Sequence, residues 1–221
     1  MAKKIINTTK VNISLKDQLV IRDYKNKDKP EIVKIWSETF RAPSGPRFNR
    51  DLKNFQKSLD PRYVIVSELE GKVNGYSRAA PFATNTRLLD YFNNIIGSAI
   101  SGDREALRQI QENWVKKYSG KSQIILHRNR NTLNINLGKN DIYISDIAVE
   151  KYMRGKGIGS LLLQESLEKV AKKNTRYFVT MCWNGGYSRQ LFSKFRFKPV
   201  VTLKPVYFDS QSATYMIRGS R

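Results

Sequence analysis

The segment Arg154-Gly-Lys-Gly-Ile-Gly159 constrains this chain more than any other, because of what stands on either side of it. Ile142-Tyr-Ile-Ser-Asp-Ile-Ala-Val149 reads as a strand, and Gly157 to Lys173 reads as a helix with Leu163, Leu167, Val170 and Ala171 on one apolar stripe. Glu165 with Lys169, and Glu168 with Lys172, are i, i+4 pairs expected on its wet side. A glycine-rich turn at a helix start leaves backbone N–H groups free beside the positive end of the helix dipole, which makes a site for an anion. Glycines there let the backbone approach a phosphate closely, and Arg154 and Lys156 add charge for a pyrophosphate. Two other phosphate loops do not fit. Lys156 is not followed by the hydroxyl residue of a Walker A loop, and the glycines at 155, 157 and 159 lack the dinucleotide spacing, with Asn174 and Thr175 supplying no downstream acid. The alternative is a tight turn with no ligand.

The rest of the chain alternates in the same manner. Gln18 to Asp23 reads as a first strand, Pro30 opens a helix carrying Ile32, Val33, Ile35, Trp36 and Phe40, and Asn49 is the expected cap of a short basic helix running to about Leu59. Tyr63 to Leu69 and Val73 to Ala79 flank a turn at Glu70-Gly71-Lys72 and predict an antiparallel hairpin. Between residues 85 and 140 two amphipathic helices are expected, one on Leu88, Phe92, Ile95, Ile96 and Ala99, the other on Leu107, Ile110 and Trp114. Gln123 to His127 and Thr132 to Asn136 then predict a small hairpin around Arg128-Asn-Arg-Asn131. Arg176 to Cys182 is a strand, Gly186 to Phe195 a helix, and Val200 to Phe208 with Ala213 to Ile217 two closing strands. One domain over 1–221 is expected, with 1–16 as an N-terminal extension and 85–140 as a helical insertion.

Composition narrows the function classes. Forty Lys and Arg against nineteen Asp and Glu give a formal charge of +21, which favours polyanionic ligands, an acidic partner or nucleic acid. With 40% apolar residues the charge decorates a real core. Cys182 is the only cysteine, so neither an intrachain disulfide nor a cysteine-built zinc site is expected, and a reducing compartment fits. Met1 to Lys16 lacks the apolar core of a secretory signal and no run reaches the length of a membrane span, so the expectation is a soluble cytoplasmic protein with no membrane partner.

Val149-Glu-Lys-Tyr-Met-Arg-Gly-Lys-Gly-Ile-Gly-Ser-Leu-Leu162 resembles the coenzyme A-binding segment of the GNAT N-acetyltransferase superfamily, Arg/Gln-x-x-Gly-x-Gly/Ala, with Arg154, Gly157 and Gly159 in its three defining places. The resemblance continues through Trp183-Asn184 and Arg189 to Phe197, similar to the family's asparagine and its helix ending in Tyr-x-x-x-Gly-Phe. It implies an α/β (α+β) fold with a mixed, mostly antiparallel sheet flanked by helices, whose fourth and fifth strands, here Ile142–Val149 and Arg176–Cys182, splay apart around the pantetheine arm of acetyl-CoA. It further implies that Ile147, Ala148 and Val149 pair with that arm and that the Val149 N–H polarises the thioester carbonyl. The cradle of Arg154, Gly155, Lys156, Gly157, Ile158, Gly159 and Ser160 would hold phosphate, and Asn184 and Phe192 would lie near the cofactor. The chain departs from the pattern at Phe192, where many members carry a proton-donating tyrosine, and at Arg196, which replaces the usual glycine.

Acetyl transfer to a primary amine of a protein or small molecule, by direct attack in a ternary complex, is the activity so implied. Asp146 is the candidate general base and Tyr187 the candidate proton donor, each weighed against a purely structural role. As the alternation runs, Asp146 points opposite to Ser145 and Ile147, and which face is the cleft stays open because this strand often carries a bulge in the family. Cys182 reads as a buried apolar side chain and His127 as a solvated one. Two other readings stand beside the enzyme: a basic nucleic-acid or ribosome-associated module, and a catalytically silent coenzyme A sensor.

Overall fold

The computed structural model describes residues 18–40, 46–114, 122–127, 135–172, 174–183, 187–205 and 212–220. Strand β1 (Leu19–Asp23) enters helix α1 (Lys29–Phe40) through a tight turn at Asn26–Asp28. Arg22 holds that turn, donating to Asp28 at 2.7 and 2.8 Å and to Glu68 at 2.8 Å. Helix α2 (Pro46–Lys57) begins earlier than expected. Proline suits a first helical turn, where its missing N–H is not needed, so Asn49 lies inside the helix and does not cap it. Strands β2 (Val64–Leu69) and β3 (Lys72–Pro81) form the expected hairpin, and Glu70 (φ 52) and Gly71 (φ 77) adopt the left-handed pair of conformations that a two-residue connection requires.

Helices α3 (Thr86–Ser101) and α4 (Arg104–Trp114) follow, α3 capped by Asn85, whose side chain accepts from the Leu88 N–H. Their apolar stripes complete a core: Leu89, Phe92, Ile95, Ile96 and Leu107 bury against Val179, Val201, Leu203, Tyr215 and Ile217 of the sheet. Of the small hairpin expected next, the turn and most of the second strand lie outside the described residues. Strand β4 (Ser122–Leu126) pairs antiparallel with the later strand Lys198–Pro205 over five positions, from Ser122↔Pro205 to Leu126↔Val201. Ile135 and Asn136 are irregular, and Thr132 to Asn134 lie outside the described residues.

The remaining elements are β5 (Ile142–Val149), α5 (Ile158–Val170), β6 (Tyr177–Trp183), α6 (Ser188–Lys194), β7 (Lys198–Pro205) and β8 (Ala213–Gly219). Among the described residues the strands make one eight-stranded sheet in the order β1-β2-β3-β5-β6-β8-β7-β4. Among the described residues only β5 and β6 pair in parallel. Helix α5 lies on one face, burying Leu162, Leu163, Leu167 and Val170. On the other face α1 and α2 cover β2 and β3 through Ile32, Ile35, Phe55 and Tyr76, while α3 and α4 cover the far strands. Lys169 does not pair with Glu165 along α5: its ammonium crosses to Asp23 at 2.6 Å and to the Val64 carbonyl at 3.3 Å, fastening α5 to β1 and β2.

Helix α6 ends in a way that explains two of the chain's departures. Arg196 sits at φ 64, its N–H donates to the Ser193 carbonyl at 3.0 Å, and the Phe197 N–H donates to the Phe192 carbonyl at 3.1 Å. These two bonds close a Schellman cap, in which the residue at the left-handed position is ordinarily glycine and the residues on either side make an apolar contact. Here Phe192 and Phe197 make that contact, edge to face with ring centroids 5.1 Å apart.

Candidate functional site

The site begins with one misplaced residue in β5. Arg78 of β3 stands opposite Asp146, and Ala79 stands opposite Ile144, so Ser145 is an extra residue bulged out of the ladder. Strict alternation would put Asp146 on the same face as Ile142 and Ile144, against α5. The bulge reverses the phase. Ile147 and Val149 therefore pack on the α5 side, while Asp146 and Ala148 join Tyr143 on the opposite face, beneath α1, α2 and α3.

The same bulge opens the sheet. β5 and β6 pair only at Ile142↔Phe178, Tyr143↔Val179 and Ile144↔Thr180, and the ladder between them stops at the bulge. From Ser145 onward β5 keeps its partner β3, with Ser77↔Ile147, Tyr76↔Ala148 and Gly75↔Val149. The Glu150 N–H donates to Asn74 of β3 at 2.8 Å, so by alternation the N–H and C=O of Val149, and those of Ile147, face the open edge. An extended polar arm can pair with that edge as an added strand.

At the end of β5 the chain makes the phosphate-type turn. Gly155 (φ 80) and Gly157 (φ 84) hold left-handed conformations that an L side chain adopts only under strain, and a Cβ on either would point into open space. Gly159 is different: a Cβ there would meet only Leu191 at an ordinary 3.7 Å. Gly157 is the N-cap of α5, with its carbonyl accepting from the N–H groups of Ser160 and Leu161. Among the described residues nothing accepts from the N–H groups of Gly155, Lys156, Gly157, Ile158 or Gly159. Ile158 buries its side chain in the core. A row of free donors at a helix start, with space above Gly155 and Gly157, fits a pyrophosphate.

The two basic residues of the turn behave differently. Lys156 is exposed, with only the Met153 sulfur at 3.6 Å. Arg154 folds back: its Nε donates to the Val149 carbonyl at 2.8 Å and a terminal nitrogen donates to Thr39 of α1 at 3.2 Å. Its guanidinium ties the turn to β5 and α1 and does not extend over the glycines. This is the opposite of a freely offered phosphate ligand.

On the other face Asp146 is held firmly. Its Oδ2 accepts from Arg78 Nε at 2.7 Å and from the Ser145 hydroxyl at 3.1 Å, and the ion pair brings a terminal nitrogen of Arg78 to 2.5 Å from it. Its Oδ1 has no hydrogen-bond partner among the described residues. Arg78 also donates to Ser58 and lies 5.3 Å from the ring centroid of Phe55, which binds the pair to the C-terminal end of α2. Burial lowers the Arg78 guanidinium, but the charge of Asp146 and the bonds between them outweigh it, so Arg78 stays above its ordinary value. The Tyr76 hydroxyl nearby is fully buried without a partner and is held well above the usual phenol range, first by burial and then by the Asp146 carboxylate. Tyr143, packed between Phe82 and Phe92, is raised for the same two reasons.

The other candidates are spread out. The Tyr187 ring is 85% exposed at the head of α6. Phe192 is buried as the inner half of the Schellman contact. Asn184 lies outside the described residues. Cys182 is buried against Met216, its thiol pushed up to about 12 chiefly by burial, which makes it inert as a nucleophile. His127 is half-buried and bonded to Thr202 at 2.9 Å, more structured than the solvated role expected of it, and burial followed by the charge of Arg189 lowers its pKa. Arg78 went unnoticed in the sequence, where a single arginine on a strand carries no motif. Among the described residues no cluster suited to a metal ion occurs, and no helix is long and apolar enough to cross a membrane.

The family model described as the acetyltransferase (GNAT) family matches residues 29–195. No curated protein matches the sequence. Among solved structures, Ard1 from Thermoplasma volcanium is similar at 14% identity and a TM-score of 0.56, covering 92% of this chain and 99% of that one. A ribosomal-protein-alanine N-acetyltransferase from Brucella melitensis is similar at 17% identity and a TM-score of 0.53, covering 90% and 99%. yncA from Salmonella typhimurium, whose structure was solved with acetyl-CoA, is similar at 14% identity and a TM-score of 0.56, covering 92% and 95%. Likenesses at such identities speak for the fold, and the family match extends over most of the chain. With the splayed strands and the glycine turn where that fold requires them, the chain belongs to the GNAT acetyltransferase family.

Proposed function

We propose that this chain is an N-acetyltransferase that moves the acetyl group of acetyl-CoA to a primary amine of a protein or small molecule. One observation carries the reading: the unpaired edge of β5 beyond Ile144 leads directly to the free N–H groups of the turn before α5. An arm with amides and a pyrophosphate at its end matches both in order. Acetyl-CoA supplies an activated acyl carbon on a thiol leaving group. The amine attacks that carbon, the C–N bond forms as the C–S bond breaks, the amine loses a proton and the thiolate gains one.

The residues divide the work accordingly. The N–H groups of Gly155, Lys156, Gly157, Ile158 and Gly159 hold phosphate, with the Ser160 hydroxyl and Asn184 near the arm. Ile147 and Val149 form the pairing edge, with Ala148 between them paired to β3, and the Val149 N–H polarises the acyl oxygen. Asp146 accepts the amine's proton, directly or through water, at Oδ1. Tyr187 is the donor to the departing thiolate, since Phe192 has no proton to give. Residues 1–221 act as one domain, in the cytoplasm.

Thiol release from acetyl-CoA, measured against a panel of small amines and peptides, tests this reading. Release that depends on an added amine and vanishes in Gly157→Glu supports it. Buried Phe192 favours a second reading, a coenzyme A sensor without turnover, which binding without release would establish.

A further inference from the structure

We propose that the end of the molecule opposite the glycine turn binds the phosphate backbone of a single-stranded nucleic acid, through Lys172, Arg176, Lys194, Arg196, Lys198 and Arg218. This surface goes beyond the acetyltransferase reading and stands independently of it.

The fold brings these residues together from several elements. Helix α5 runs thirteen residues from the glycine turn, so its last turn lies about 20 Å away from it. There the chain turns through Lys172 into Arg176. The turn is closed by the Lys172 N–H donating to the Thr175 hydroxyl at 3.1 Å and the Thr175 N–H donating to the Lys172 carbonyl at 2.9 Å. The end of β8 is pinned beside it, with the Ser220 N–H on the Arg176 carbonyl at 2.9 Å. Arg218 stands opposite Phe178 in the ladder, its guanidinium 5.8 Å from that ring's centroid. Lys198 stands opposite Ile217, the neighbour of Arg218, and Lys194 and Arg196 close α6 just before it. From β6 across β8 to β7 is two strand spacings, about 10 Å, the width of one strand of nucleic acid rather than of a duplex.

Elsewhere on the surface, cations are paired with acids: Arg22 with Asp28 and Glu68, Arg62 with Asp60, Arg108 with Glu105 and Glu112, Lys169 with Asp23. At this end they are not. Lys172, Lys194, Arg196 and Lys198 are exposed, and their side chains make no hydrogen bond or ion pair among the described residues. Arg176 alone meets an acid, the buried Asp141 carboxylate at 3.3 Å. Glu168, one turn before Lys172, accepts from Gln164 at 3.1 Å. The negative ends of α5 and α6 account for Lys172 and Lys194 but not for Lys198 and Arg218, which belong to strands. Like charges gathered within a Debye length of about 8 Å repel one another until an anion screens them.

The patch has no apolar centre. The exposed large apolar side chains, Val20, Phe40, Ile125, Tyr152 and Tyr187, lie on β1, α1, β4, the turn before α5 and the head of α6. A protein partner needs aromatic or aliphatic anchors, and a membrane surface favours apolar side chains that insert. A phosphodiester strand needs only cations, which meet one charge per about 3.4 Å of its rise. The hydrogen-bonded turns hold the cations ready for it.

The test titrates the full-length protein into labelled oligouridylate of about 20 nucleotides, from about 50 to about 200 mM salt. Oligothymidylate and a DNA duplex of the same length, phosphatidylserine vesicles and polyglutamate are the other arms. Binding to a single strand should weaken steeply with salt. In the variant Lys172→Glu, Lys194→Glu, Lys198→Glu it should fall at least about tenfold at about 150 mM salt. The same three residues changed to alanine should reduce the slope of log K against log salt by about 2, three phosphate contacts at roughly 0.7 each. Arg50→Glu, Lys53→Glu, Lys57→Glu makes an equal change in net charge on the opposite face of the sheet and should cost less than about threefold, because salt screens charge at that distance. Circular dichroism reports the fold, and the alanine variant carries the test if the charge reversal unfolds the protein. Preference for oligouridylate identifies RNA as the source of the strand, and preference for oligothymidylate identifies DNA.

No binding to either oligonucleotide at the lowest salt would overturn the proposal. So would an equal loss in the α2 variant, an unchanged salt slope in the alanine variant, or tighter binding to the duplex. Tighter binding to the vesicles or to polyglutamate would overturn it too and make the surface one for membranes or acidic proteins.

Discussion

The Arg154 side chain donates to the backbone carbonyl of Val149 at 2.8 Å, so the first residue of the glycine turn grips the last residue of the splayed strand. The contact fixes the turn against the edge that the cofactor arm would line. Its second bond, to Thr39, joins both to the end of α1. Arg154→Ala should therefore weaken acetyl-CoA binding about tenfold, a loss on the scale of one charged hydrogen bond, with the fold retained. Arg154→Lys keeps the charge but not the planar Nε geometry and should recover little of the affinity. Full recovery by lysine, measured by calorimetry, would mean that charge alone matters there.

Arg196 at φ 64 occupies a position where a Cβ is a burden. Arg196→Gly should relieve it and stabilise the protein by about 1 kcal/mol, because the Schellman bonds to Ser193 and Phe192 remain available to glycine. Chemical unfolding curves compare the two. A destabilised variant would show that the arginine side chain contributes more than its backbone strain costs.

Much of this was legible in the sequence, and the gaps have physical causes. The strand, turn and helix from Ile142 to Val170 were readable because apolar period and glycine placement agree there, and the family match supports the same reading. The face of Asp146 was not readable. It depends on one extra residue at Ser145, and a bulge leaves no local mark when the strand on either side alternates normally. Ser122–Leu126 was recognised as a strand, but its pairing with β7 was not foreseen, since the edge of β7 lies some eighty residues away and pairing at that distance is decided by the whole sheet. Lys169 was assigned to its own helix because a short-range rule saw Glu165 and not Asp23.

Asp28 makes stability depend on acid. Burial alone would raise its carboxyl, but the hydrogen bonds from Arg22 and the Lys25 N–H and the nearby positive charges outweigh it, so it lies below the ordinary value. A carboxyl depressed in the folded state stabilises above its unfolded pKa, about 3.9, and that contribution is lost as pH falls through the folded value. Asp28→Asn should therefore cost about 2 kcal/mol near neutral pH, with the gap to the unaltered protein closing as the medium falls below about pH 4. Urea unfolding across that range measures it. A gap that does not change with pH would contradict the ion pair's role.

The central claim is that the turn before α5 and the open edge of β5 form an acetyl-CoA site. Calorimetric titration of the full-length protein with acetyl-CoA tests it most directly, alongside Gly157→Glu, which places an anionic side chain at a left-handed residue facing the cradle. Saturable binding at one site per chain, abolished in Gly157→Glu and retained in Asp146→Asn, is the expected result. No binding by the unaltered protein, or binding indifferent to Gly157→Glu, would contradict the account.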